Sequence, residues 1–262
     1  MPISGFEIAQ FTVTEKDQSQ ADRNMPTFSR GDIDIYYEES GKGFPILLFA
    51  PGGMRSAIPF WAGSQWNPIE VLSPHYRVIA MDQRNAGQSR APVQATDGWH
   101  TYTDDHLRLL DHLNIDSCHL MGGCIGGPYC FGVMERAPSR VASSILQQTI
   151  GLDNNRHAFY DMFDSWAVDM ADNKLTKDEW AQFRSNMYDG EFLLNVDEDF
   201  VRRCETPMLV LMGDDLYHPQ STSREIAELA PNATLIENWK NPAADNTEHI
   251  VLEFLANNTP DN

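Results

Sequence analysis

Met121-Gly122-Gly123-Cys124-Ile125-Gly126-Gly127 follows the short apolar run Cys118-His119-Leu120 and opens onto a helical pattern, Tyr129 to Arg136, that Pro138 closes. The spacing reads as a sharp strand-to-helix turn that leaves one side chain, Cys124, standing at its tip. Gly122 and Gly126 lie two before and two after Cys124, where a side chain would clash as the strand passes the incoming helix. The thiol would then face a helix N-terminus, whose free N–H groups and positive dipole end favour a thiolate and, later, an oxyanion. Cys124 is therefore the candidate nucleophile. The competing reading is a buried structural cysteine in a tight packing turn, and the surrounding chain has to decide between them.

Working outward, the sequence alternates apolar runs with helical patterns. Ile33-Asp34-Ile35-Tyr36-Tyr37 has the alternation of a half-buried strand, and Gly41-Lys42-Gly43 turns it into Ile46-Leu47-Leu48-Phe49, an apolar run suited to a strand buried on both faces. Ala50-Pro51-Gly52-Gly53-Met54 then forms a glycine-rich loop that exposes backbone N–H groups. A helix is expected around Trp61 to Leu72, a strand over Tyr76 to Met81, and a helix marked by Leu107, Leu110 and Leu113 with Thr103-Asp104-Asp105 near its start. Further strands are predicted at Val141 to Gln148, Pro207 to Met212 and Ala233 to Trp239, and further helices at Pro219 to Leu229 and Thr247 to Asn257. Strands alternating with helices imply an α/β fold with a mostly parallel central sheet flanked by helices.

Between Thr149 and Thr206 no strand pattern of comparable strength occurs. Trp166, Trp180 and Phe183 sit in helical context there, and Leu175-Thr176-Lys177-Asp178-Glu179 resembles a helix start. The expected organisation is a polar leader over 1–24, a core made of 25–148 and 207–262, and a helical cap insertion over 149–206. Trp166 and Met162 suit an apolar lid, although such spacing is as readily that of a core.

Composition narrows the function classes. The 262 residues suffice for one large core, and 42% hydrophobic with 22% charged residues is ordinary for a globular chain. A net charge of −19, from 38 acidic against 19 basic residues, argues against binding a phosphate backbone, which requires clustered cations. No apolar run approaches a membrane span, and Met1 to Asn24 lacks the basic start and apolar core of a secretory signal, so a cytoplasmic protein is expected. The four cysteines, Cys118, Cys124, Cys130 and Cys204, lack the close pairs of a zinc site. Neither a metal nor another cofactor is expected, and the composition is compatible with a homo-oligomer.

Taken together, the loop at Pro51 to Gly53, the segment Asp82-Gln83-Arg84-Asn85-Ala86-Gly87-Gln88-Ser89, the turn around Cys124 and Leu211-Met212-Gly213-Asp214-Asp215 resemble the α/β-hydrolase family from about Phe28 to Leu255. Asn85 stands where the family pattern has its first glycine, and asparagine tolerates the left-handed backbone that such a turn needs. The resemblance implies an α/β-hydrolase fold with the nucleophile at Cys124 and the acid at Asp215, with Asp214 as runner-up. It also implies oxyanion donors at Ile125 and in the Gly52-Gly53 loop, with Gly52 the ungapped match.

The family base lies directly after the last strand, but Lys240 to Asn246 contains no histidine. His249 is the first one downstream, already inside a helical pattern, and would reach the site only if the loop folded back. His218 is the other candidate, too close in sequence to Asp215 for the usual acid–base geometry yet able to face Cys124. His100 is the third. A thiol tolerates an irregular partner better than a hydroxyl, because it is partly ionised near neutral pH. The expected activity is hydrolysis of a small activated ester, lactone or thioester through an acyl-cysteine. The alternatives are acyl transfer from the same intermediate, and a ligand-binding or sensor protein that has lost the chemistry. In every case the expected partner is a small molecule.

Overall fold

The computed structural model of this chain describes residues 26–170, 174–240 and 244–261. The leader expected over 1–24, and 241–243 of the loop before the last helix, lie outside the described residues. Among the described residues eight strands form one sheet: β1 (Thr27–Arg30), β2 (Ile33–Ser40), β3 (Pro45–Phe49), β4 (Arg77–Met81), β5 (Cys118–Gly123), β6 (Val141–Gln147), β7 (Met208–Leu211) and β8 (Ala233–Ile236). Their spatial order is β1-β2-β4-β3-β5-β6-β7-β8. The first two pairings are antiparallel and all others parallel.

The apolar runs form central strands because both their faces are covered. Leu47, Phe49, Ile79, Met81, Leu120 and Leu146 point to one side, where they meet Leu109 and Leu110 of helix α2 (Trp99–His112) and Tyr129 and Val133 of helix α3 (Gly126–Arg136). Their sequence neighbours Ile46, Leu48, Val78, Ala80, Met121 and Ile145 point to the other side. There they meet Leu72 of the short helix α1 (Pro68–Leu72) and Val251 and Leu255 of the last helix, Ala244–Asn257. Each such buried side chain contributes about 1.5–3 kcal/mol relative to exposure, so strand alternation fixes which helix covers which face.

Two details differ from the sequence reading. Instead of one helix over Trp61 to Leu72, a 3₁₀ segment, Ile58–Gly63, is followed by α1, which starts only at Pro68. Asn67 caps it with a side-chain oxygen on Ile69 N–H, and proline at the first helical position resets the start. The edge strand β1 had no apolar alternation to reveal it; it exists through its pairing with β2.

Among the described residues between β6 and β7 lie three helices, α4 (Arg156–Asp169), α5 (Lys177–Tyr188) and α6 (Glu198–Arg203). Helix α5 starts at a capping box, in which Thr176 Oγ1 accepts from Glu179 N–H and Glu179 returns a carboxylate oxygen to Thr176 N–H at 2.7 Å. Phe163, Trp166, Trp180 and Phe183 pack edge to face and stacked, so Trp166 belongs to the core of this segment. Met162 instead lies against the backbone of Gly53, where a Cβ would come within 2.1 Å of its sulfur. Arg55 donates to Asp169 at 2.8 Å and to the Ser165 carbonyl at 3.0 Å, which ties α4 to the turn after β3. Helix α7 (Gln220–Leu229) precedes β8, and α8 (Ala244–Asn257) closes the fold.

The chain leaves β3 first toward β4 on one side and later returns to place β5 on the other. Such a reversal opens a crevice at the carboxyl ends of the two strands. The Gly52-Gly53 loop and Cys124 both lie there.

Candidate active site

Cys124 follows directly on β5 and has φ 58°, a conformation that costs an L-residue about 1–3 kcal/mol. Local contacts compel it. Cys124 N–H donates to the Gln147 carbonyl at 3.1 Å, and its own carbonyl accepts from Gly127 N–H at 3.1 Å and Ile150 N–H at 3.2 Å. A Cβ on Gly122 would come within 2.1 Å of the Gly126 carbonyl oxygen, and one on Gly126 within 2.4 Å of the Phe49 carbonyl oxygen. Strand, helix and neighbouring strand therefore meet at backbone distance, and the thiol is the side chain left facing the crevice, partly exposed.

The loop after β3 supplies the opposite wall. Gly52, at φ 123°, aims its N–H at the Cys124 sulfur, as does Ile125 from the first turn beyond the elbow. Gly53 opens the next turn, its carbonyl accepting from Ser56 N–H at 3.0 Å. Of the two loop glycines, Gly52 is thus the donor that faces the thiol.

The histidine beside Cys124 is His218. His249 is exposed on α8, and His100 is exposed at the start of α2 with its ring 3.4 Å from Thr101 Oγ1. His218 is also paired with Asp215, although three residues of separation do not suit the usual acid–base geometry: Nδ1 lies 2.8 Å from Asp215 Oδ2. The reason is a tight turn. Asp215 and His218 exchange backbone hydrogen bonds at 3.2 and 3.3 Å, while Asp215 Oδ1 accepts from the N–H groups of Tyr217 at 2.9 Å and His218 at 3.1 Å. The carboxylate folds the chain around itself and keeps one oxygen for the imidazole. Gly213 makes the turn possible, since a Cβ there would come within 2.3 Å of the His218 carbonyl oxygen. Asp214 is turned away and pairs with Lys240.

With Nδ1 engaged by Asp215, the buried Nε2 has no conventional hydrogen-bond partner among the described residues and is coupled to the Cys124 sulfur. Burial alone raises a thiol pKa; here the His218 imidazolium and the Gly52 and Ile125 amides outweigh it and pull Cys124 below its ordinary value. Burial likewise disfavours the imidazolium, but Cys124 and Asp215 reverse this and raise His218 to about 9. Asp215 is lowered, because contacts with His218 and Tyr217 outweigh its partial burial. The arrangement favours thiolate and imidazolium over the neutral pair, with two N–H donors directed at the sulfur. The other cysteines contrast with it: burial pushes Cys118 and Cys130 up to about 12.

The sequence carried one unused pointer to the placement of His218. Asp215-Leu216-Tyr217-His218-Pro219 has a turn-forming aspartate at its start and a proline before the helix, but nothing local says the histidine points inward. Among the described residues no group of three or more His, Cys, Asp or Glu is arranged to hold a metal ion, and no helix is long and apolar enough to cross a membrane.

The mostly parallel eight-stranded sheet with a strained elbow at the end of its fifth strand defines an α/β-hydrolase fold. The chain belongs to the alpha/beta hydrolase fold family, whose model matches residues 45–179. It is 35% identical over 122 residues to the protein designated carbamate hydrolase RutD of Azorhizobium caulinodans, a match covering 45% of this chain and 42% of that protein. The protein of the same designation from Serratia proteamaculans is 26% identical over 234 residues, 78% of this chain and 86% of its own length. The chain thus matches under half of the first relative and most of the second. Among solved structures, the enol-lactonase of Burkholderia xenovorans LB400 superposes with a TM-score of 0.65 at 20% identity, over 88% of this chain and all of the other.

Proposed function

We propose that this chain hydrolyses a small activated ester, lactone or thioester through an acyl intermediate on Cys124. The observation that carries this reading is His218, held by Asp215 on one ring nitrogen and coupled to the Cys124 sulfur through the other. The thiolate attacks the carbonyl carbon, and the N–H groups of Gly52 and Ile125 hold the oxyanion as the C–S bond forms. When the carbonyl re-forms, the leaving-group bond breaks and His218 Nε2 gives its proton to the departing oxygen or sulfur. The thioester has no thiolate to sustain the imidazolium, so His218 is then free to take a proton from water. Water attacks the thioester carbonyl, the C–S bond breaks, and the acid leaves with thiolate and imidazolium restored. Segment 149–206 acts as the cap that limits access of bulk water.

The relatives support the substrate class. RutD is named for carbamate hydrolysis and the Burkholderia enzyme as an enol-lactonase, and both names describe attack at a carbonyl. The test is turnover of a p-nitrophenyl ester, with intact-mass detection of a Cys124 thioester during the burst. Cys124→Ala is expected to lose both the adduct and on the order of 10³-fold or more of kcat. Unchanged turnover in that variant overturns the proposal.

A further inference from the structure

Three tyrosines next to the site carry a feature that the reaction above does not use. Tyr102 from α2, Tyr129 from α3 and Tyr188 from the end of α5 are each at most 1% exposed, and none of their hydroxyls has a hydrogen-bond partner among the described residues. They are neighbours. The Tyr102 and Tyr129 rings stack at 5.3 Å, and Trp99 meets Tyr129 edge-on at 5.5 Å and Tyr188 at 6.1 Å. Two further links connect them to the site. Tyr129 lies on the helix that begins at the elbow. Phe159 stacks on Tyr188 at 5.6 Å and lies 5.9 Å from Tyr217, inside the Asp215–His218 turn.

A buried hydroxyl left without a partner is costly, and three in one cluster is not how an inert core is built. Burial raises all three phenols far above neutrality, so each carries its proton and serves as a donor. The cation that acts on Tyr102, Arg84, is committed to Asp105 by two hydrogen bonds of 2.8 and 3.0 Å. Among the described residues, no uncommitted positive charge acts on the phenols to offset a buried carboxylate. What the cluster can satisfy is a neutral oxygen.

Resting on the acyl-cysteine reading, we propose that Tyr102, Tyr129 and Tyr188 form the acyl-group subsite and donate hydrogen bonds to a neutral keto or hydroxyl oxygen on the acyl chain. The enzyme is then selective for oxo- or hydroxyacyl esters over plain alkyl esters and over esters of dicarboxylic acids. Tyr188 would make the cap a part of that selection, since it is the only one of the three contributed by 149–206.

The experiment compares p-nitrophenyl 4-oxopentanoate, pentanoate and hemisuccinate. The wild type is expected to favour the oxo ester over pentanoate by about tenfold or more in kcat/KM, as a site built to hydrogen-bond an oxygen rejects the analogue lacking it. That ratio is expected to fall toward one in Tyr129→Phe and Tyr188→Phe. Equal kcat/KM for the oxo and pentanoate esters, or a preference for hemisuccinate, overturns the subsite and leaves the acyl-cysteine reading intact. No turnover of any of the three defeats that reading, and the subsite with it. Thermal melting adds a readout independent of turnover: Tyr129→Phe is expected to melt no lower than wild type, and a drop of several degrees shows its hydroxyl to be engaged within the protein and overturns the subsite.

Discussion

The two turns that build the site, the elbow after β5 and the turn after β7, reach comparable precision by opposite means. At the elbow, backbone meets backbone: Gly122 and Gly126 leave 2.1 and 2.4 Å where a Cβ would sit, and Cys124 is held in a left-handed conformation by that close approach and by backbone hydrogen bonds. After β7 a side chain does the folding. Asp215 accepts two backbone N–H groups and one imidazole N–H, and only Gly213 is excluded from bearing a side chain by contact. Steric exclusion leaves a mark in the sequence because it removes every residue but glycine. A hydrogen-bonded turn leaves almost none, since aspartate and histidine are common and their meeting depends on the fold around them.

The largest expected effect separates His218 from His249, two of the three candidate bases. His218→Ala is expected to lower kcat by about 10²–10⁴-fold, the range of a general acid–base group, while His249→Gln leaves the rate at the wild-type value. Steady-state rates on one activated ester decide it, and the reverse pattern would break the account of the β7 turn. Next, Gly126→Val is expected to destabilise the fold by several kcal/mol in denaturant melts, because its branched side chain meets the Phe49 carbonyl in a backbone contact that cannot relax cheaply. Gly213→Ala, pressing on the flexible His218 turn, is expected to show a smaller loss of stability and a loss of up to about 10²-fold in kcat from a displaced imidazole. If the two variants behave alike, the contrast between a rigid elbow and a pliable turn fails.

The smallest effect is in pH dependence, and its sign follows from the pair. Cys124 is lowered and His218 raised to about 9, so each partner favours the charged form of the other. Activity that uses the imidazolium as an acid is expected to fall as pH rises through about 9. The folded pKa of His218 lies above its unfolded value, so its stabilising contribution is fully present below pH ~6.5 and is lost as pH rises through about 9. Asp215, lowered by folding, contributes above its unfolded pKa and loses that contribution as pH falls. In Cys124→Ser, where no thiolate remains to hold the proton, the alkaline limb should move to lower pH.

Much of the fold was legible in the chain. The runs Ile46 to Phe49 and Tyr76 to Met81 are strands because continuous apolar sequence of that length needs cover on both faces, and the helices supply it. Asn85, read as tolerating the left-handed turn, adopts φ 59° and caps the loop by accepting Ala91 N–H at 2.8 Å. The stretch Trp61 to Leu72 misled, because its aromatic and apolar residues pack irregularly against the second core and a proline divides them.

The sequence by itself determined the elbow, the sheet and the position of Cys124, since each rests on local sterics or on an alternation that any buried strand must obey. Only the tertiary structure placed an imidazole beside the thiol and disclosed the three phenols. Which imidazole meets the thiol depends on how a turn of five residues stands on the end of β7. Whether a tyrosine hydroxyl is paired depends on residues from α2, α3 and α5, which lie far apart in the chain. Such contacts carry no periodicity, and so no local pattern records them.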